Sequence, residues 1–211
     1  MDTSRTRPYA EVVSAAQPQP ARPGYGHGRT ALLDAAIRVV ARDGLRGLTY
    51  RAVAAEAGVT HGLVTRHFGS RATMIEEALG HAVQHSIAAS ALVSQTGEIH
   101  DLARDLPNMA EDDADGQAFQ FELILEARRR PELRDDARSL YDTYHAATYH
   151  ELRRMGLEAD DGLTRAVFSA LDSMVFQQIT FGRPEDTEAG LAALRGMLTA
   201  LRDQQASQRE R

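Results

Sequence analysis

From Thr30 onward apolar residues recur at helical spacing. Leu32, Leu33, Ala36, Ile37 and Val40 share one face, and Asp43-Gly44 ends the run where a C-terminal glycine belongs. Leu45 to Leu48 reads as a connector. Thr49 is placed to cap a second helix, Tyr50 to Ala57, stopped by Gly58; Thr60 is placed to cap a third, His61 to Phe68, stopped by Gly69. Ser70 caps a longer fourth helix, Arg71 to about Leu92. Further on, a polar loop over Pro107 to Gly116 precedes a helix Gln117 to Arg130, and Pro131 suits the first turn of the next, which runs to about Met155. After a loop over Gly156 to Gly162 come Leu163 to Phe181 and Glu185 to Arg202. No stretch alternates as a strand requires, so the predicted class is all-α.

Four of the seven prolines and three glycines crowd residues 1–28, which lack apolar periodicity and read as a disordered arm. The remainder divides into a short-helix unit at 29–71, a helical body at 72–205 and a disordered tail at 206–211. Charge follows the same division. Residues 1–71 hold ten arginines against five acids, whereas the other 140 residues hold fourteen against twenty-five, so the net −6 hides a basic first third on an acidic body. That asymmetry is expected where one end meets phosphate. The 211-residue chain has no cysteine, which excludes disulfides, thiolate zinc sites and cysteine nucleophiles, and fits a reducing compartment. Its longest apolar runs fall short of the roughly 18 residues of a membrane span, and the N-terminus shows no secretory pattern, so a cytoplasmic location without membrane attachment is expected.

The chemistry is concentrated between Thr49 and Phe68, two helices too short to stand alone, joined at one glycine. Val53, Ala54 and Ala57 can pack on Val59, Val64 and Phe68, small Ala54 lets the backbones approach, and Gly58 supplies a turn conformation that a Cβ resists. This is the construction of a helix-turn-helix, whose second helix enters the major groove while the first crosses the backbone. The outward side carries Thr60, His61, Gly62, Leu63, Thr65, Arg66 and His67. His61 and Leu63 are candidates to face bases; Thr65, His67 and Arg71 are candidates to face phosphate. Arg51, at a helix start, has a forked donor suited to guanine O6 and N7. The same residues also have plainer uses: Thr49 and Thr60 as caps, Arg38 and Arg66 as solvated charges, His67 as a surface histidine.

The ordered set Ala35-Ala36-Ile37, Gly44, Gly47-Leu48-Thr49, Arg51, Val53-Ala54, Ala57-Gly58-Val59-Thr60, Gly62, Val64, Phe68 and Ser70-Arg71 resembles the DNA-binding domain of the tetracycline-repressor (TetR) family of bacterial transcriptional regulators. The resemblance covers about a quarter of the chain, Arg29 to about Val83; the body is similar only in helical character and length. It implies that Thr49 and Tyr50 hold phosphate, that Arg51 reaches a base edge, and that Arg71 stands where the family usually has lysine. The chain departs from the family at Thr65 to His67, close to which most relatives carry an aromatic, usually tyrosine.

Other constellations carry less. His81 and His85 are spaced i, i+4, but Glu77, which continues the face, lies about 12 Å along the axis from His85. Glu122 and Glu126 lack the Glu-x-x-His partner of di-metal bundles. Neither a metal nor another cofactor is expected, and without a phosphate loop, dinucleotide fingerprint or nucleophile elbow no enzymatic activity is expected either. Tyr141, Tyr144, His145 and Thr148, on one broad face with Leu140 and Leu152, could line a cavity together with Phe119, Phe121, Leu125, Phe168, Met174 and Gln178. Such a cavity would suit an apolar or amphipathic small molecule. A plain bundle core with tyrosine hydroxyls reaching solvent accounts for the same residues.

The last two helices offer Val167, Ala170, Leu171, Met174, Val175, Leu191, Leu194, Met197, Leu198 and Leu201, more apolar surface than one partner helix covers. The resemblance implies that they pair with their symmetry mates, giving a homodimer and a pseudo-palindromic double-stranded DNA operator. The expected function is a repressor, released when an effector in the body shifts the two heads through the fourth helix. A helical small-molecule-binding module or small enzyme that does not bind DNA is the alternative, separable by salt dependence.

Overall fold

The computed structural model describes residues 25–90 and 92–210. Among these residues nine α-helices follow one another without a strand. They are α1 (Tyr25–Gly47), α2 (Tyr50–Glu56), α3 (His61–Phe68), α4 (Arg71–Ala89), α5 (Leu106–Asp112), α6 (Ala114–Ala127), α7 (Arg134–Arg154), α8 (Asp161–Phe181) and α9 (Pro184–Arg209). Single 3-10 turns, Ile99–Asp101 and Pro131–Leu133, precede α5 and α7. The all-α expectation is met.

Residues 1–24 of the expected arm lie outside the described residues, but α1 begins at Tyr25, inside the span read as arm. Arg29 anchors this start through contacts distant in sequence. Its guanidinium pairs with the Glu77 carboxylate, donates to the His67 carbonyl at 3.2 Å and lies 5.4 Å from the Phe68 ring centre. The helical path breaks at Gly44, whose φ of 69° suits a residue without Cβ. Thr49 and Ser70 cap as expected, accepting from the amides of Ala52 and Thr73, whereas Thr60 makes no side-chain cap.

The loop expected over 107–116 is instead α5 and the start of α6. Leu106, Pro107, Met109 and Ala110 are buried, with α8 and α9 packed against their helix, so tertiary burial overrides a polar local sequence. The fourth helix stops at Ala89, and beyond it the Glu151 carboxylate accepts from the Ser94 amide at 3.0 Å and hydroxyl at 2.6 Å. The expected tail is helical as far as Arg209, because Gln205 accepts from the Glu158 amide at 2.8 Å and Arg209 donates to the Glu158 carboxylate at 2.6 Å.

Head and body are joined broadly, since α1 packs against α6 more extensively than any other two elements pack. Apolar residues expected at a dimer face are partly consumed within the subunit: Val167, Leu171, Val175, Leu191, Leu194 and Leu198 are buried. Phe176, Phe181 and Met197 are the large apolar side chains that α8 and α9 leave exposed.

Candidate DNA-reading head and body cavity

In the head, α2 and α3 meet at Gly58, which takes φ 65°. Val53, Ala54, Val64 and Phe68 are buried there. The opposite face of α3 is open: Thr60, His61, Gly62, Leu63, Thr65 and Arg66 are exposed, and His67 is half-buried. Arg51 and Arg66 have no ion-pair partner among the described residues. By contrast, Arg38 and Arg42 both bind Glu56, at 2.8 and 3.0 Å, and their hydrogen bonds hold its carboxyl below the usual range.

Hydroxyl chemistry sorts the expected contacts. Thr49 accepts the Ala52 amide at 3.1 Å, which leaves its own O–H free to donate outward, so capping and phosphate binding are compatible. Thr65 donates its proton to the His61 carbonyl at 3.2 Å, within its own helix, so it cannot donate to phosphate in this rotamer. The Tyr50 hydroxyl donates to the Gly69 carbonyl at 3.1 Å, and its ring meets His61 edge-on at 5.9 Å; Tyr50 braces α3. Arg71 departs most from expectation. It donates to the Leu45 and Leu48 carbonyls at 2.5 and 2.9 Å, and burial lowers its pKa, so it holds the connector between α1 and α2. The Arg29 clamp was not legible, because its partners lie far along the chain.

In the body, α4 to α8 line a partly open cavity of about 40 Å³. That is room for a few waters at roughly 10–15 Å³ each, well below the roughly 300–1,000 Å³ of ordinary ligand pockets, so a larger guest must part the helices. Phe121, Tyr144 and Phe168 line it as expected. Tyr144 stacks on Phe168 at 5.1 Å and donates to the Gln120 carbonyl oxygen at 2.8 Å; burial pushes its phenol up to about 12.

The other expected cavity residues lie elsewhere. Tyr141 and His145 border an open outer groove with Arg134, Arg138 and Arg165, although both rings also meet Phe168 edge-on. Leu125 is 54% exposed and faces away. Thr148 is wholly buried yet borders no part of the cavity. Met174 and Gln178 sit in a separate recess beside Phe181 and Thr187, where Gln178 donates to the Pro107 carbonyl at 2.6 Å. Periodicity placed these residues near a common face, but the packing of α5 on α8 separates them.

Sequence reasoning missed Ser86 on α4 and Ser90 just past its end, Met109 on α5, Gln117 and Gln120 on α6, and Asp172 on α8. A signal existed for Asp172: it follows Phe168 by one turn on an otherwise apolar face. Burial pushes its carboxyl up to about 6. His81 hydrogen-bonds Asp34 of α1 at 2.9 Å, and the described residues contain no cluster of three or more metal-ligating side chains.

The α6 helix connects the two regions. Phe121 and Ile124 line the cavity, while Glu126 at its end pairs with Arg130 at 2.8 Å, Arg129 at 2.9 Å and, across to the head, Arg46 at 3.7 Å. A helix-turn-helix with an open reading face, mounted on a helical body with an internal cavity, defines a DNA-binding transcriptional regulator. Residues 32–78 match the family model described as bacterial regulatory proteins, tetR family, and residues 95–201 match that of the tetracyclin repressor-like C-terminal domain. The chain belongs to the TetR family.

Solved structures agree. A TetR-family member from Streptomyces coelicolor A3 is 32% identical, with 82% of this chain and 97% of that one covered at a TM-score of 0.63. The multidrug binding protein EbrR, solved with proflavin, is 32% identical over 82% and 99% of the two chains at 0.54. A TetR-family regulator from Rhodococcus sp., 20% identical over 83% and 98% at 0.68, shares the fold. Comparison with curated proteins yields no match. Among the described residues, no helix is long and apolar enough to cross a membrane.

Proposed function

We propose that the chain works as a homodimeric repressor of a pseudo-palindromic operator, released by a small molecule held in the body cavity. The observation that carries the DNA reading is the two-sided α3, with Val64 and Phe68 buried and His61, Leu63 and Arg66 open. In this reading 29–71 form the reading head and 72–205 the effector and dimer region. His61, Leu63 and Arg51 meet bases, Thr49 and Thr60 meet phosphate, and Gly62 lets the groove approach the helix closely. Tyr50 and Arg71 hold the head's shape. Phe176, Phe181 and Met197 offer the apolar surface on which a second copy docks.

A ligand response is supported by the cavity's position and by EbrR, which binds proflavin. The cavity is too narrow for a drug-sized guest, so entry moves α6, and Glu126 carries that movement to Arg46 beside the α1–α2 connector. Both heads then lose their operator spacing. The test is DNA affinity against salt: log K falls linearly with log salt at a slope of about −0.9 per phosphate contact. A slope near zero contradicts DNA binding, and an operator affinity unchanged by a cavity ligand contradicts the switch.

A further inference from the structure

Asp172 alone carries a formal charge among the described residues lining the cavity. Its one close partner is the Tyr141 hydroxyl at 3.5 Å, the outer limit of a hydrogen bond, and no arginine or histidine among the described residues ion-pairs with it. Phe168 stands one turn before it, stacked with Tyr144, and Phe121 faces the same space from α6. A carboxylate on an apolar wall without a countercharge is costly, and a guest that supplies the charge removes that cost. Aromatic faces attract a cation in addition.

We propose that the cavity takes an organic cation with an aromatic or amphipathic body, its charge met by Asp172 and its rings by Phe168, Tyr144 and Phe121. An anionic guest would set like charges together, and a neutral one would leave Asp172 unanswered. Arg134, Arg138 and Arg165 border the outer groove, which Tyr141 also lines, and none of them pairs with Asp172. Tyr141 is the competitor: its hydroxyl occupies the carboxylate until a cation arrives. The proposal rests on the cavity being the effector site.

Calorimetric titration of the full chain, at mildly alkaline pH, with N-methylquinolinium and its uncharged isostere 1-methylnaphthalene tests it without DNA. The cation is expected to bind about tenfold or more tighter. Asp172→Asn removes that preference, so that the two compounds bind alike, while Tyr141→Phe, which keeps the carboxylate and frees it, widens the preference for the cation. Equal affinities in the wild-type chain, or a preference that survives Asp172→Asn, overturn the charge assignment while the cavity keeps its guest. If neither compound binds, the cavity reading falls together with the charge assignment.

Discussion

The head and the body treat charge in opposite ways. In the head an acid is surrounded by arginines: Glu56 accepts from Arg38 and Arg42 and its carboxyl is held below the usual range. In the body an acid is left with a single distant hydroxyl, and burial pushes Asp172 up to about 6. The head's polar groups are either satisfied internally or turned outward, as a rigid reader of a fixed partner requires. The body keeps an acid without a countercharge at its cavity wall, where a guest can supply one.

The largest expected contrast is in packing. Phe68→Ala should cost about 3–5 kcal/mol by chemical denaturation, since it empties the space between α3 and the start of α1. Leu125→Ala, on an exposed body position, should stay within about 0.5 kcal/mol. A large effect at Leu125 would return that residue to the core or to the cavity.

Within the head, Arg51→Ala and Arg71→Ala separate reading from bracing. Arg51→Ala should lose about 1–3 kcal/mol of discrimination against altered operators with little change in stability. Arg71→Ala should instead lower the melting temperature and leave the salt slope unchanged, because its donors serve Leu45 and Leu48. A salt slope reduced by about one contact would restore Arg71 to the phosphate.

Between the regions, Glu126→Gln should shrink the effector's influence on operator affinity by about 0.5–2 kcal/mol without abolishing either binding event. Unaltered coupling in operator titrations with and without ligand would move the route from α6 to α4, which also borders the cavity through Ser86.

The smallest effect is the pH dependence of stability. Asp172 holds its proton more tightly folded than unfolded, so its contribution falls as pH rises from the ordinary 3.8 through about 6. Asp172→Asn should therefore raise the melting temperature above that range and not below it. Glu56 works the other way, its contribution lost as pH falls through its lowered folded value. A melting difference between wild type and Asp172→Asn that is the same at every pH would contradict the buried charge.

How much of this was legible follows the range of the contacts. Caps at Thr49 and Ser70, the turn at Gly58 and the two-sided α3 depend on neighbours within a few residues, and the residue pattern foretold them. The Arg29 clamp on Glu77, the use of Arg71 and the helical state of 106–112 depend on partners far along the chain. Cavity residues suffered most. Tyr141, Tyr144 and Thr148 share a helix face, yet the crossing of α6 and α8 sends them to an outer groove, the cavity wall and the buried core.

Selection of fragments bound by the purified full-length chain from a random-sequence duplex pool tests the reading face most directly. The expected result is enrichment of an inverted repeat whose half-sites lie one helical turn or a multiple apart, at about 10 base pairs per turn, and whose consensus is lost in Arg51→Ala. Recovery of unenriched sequence, or of a motif that persists unchanged when His61, Leu63 and Arg51 are all replaced by alanine, would contradict it.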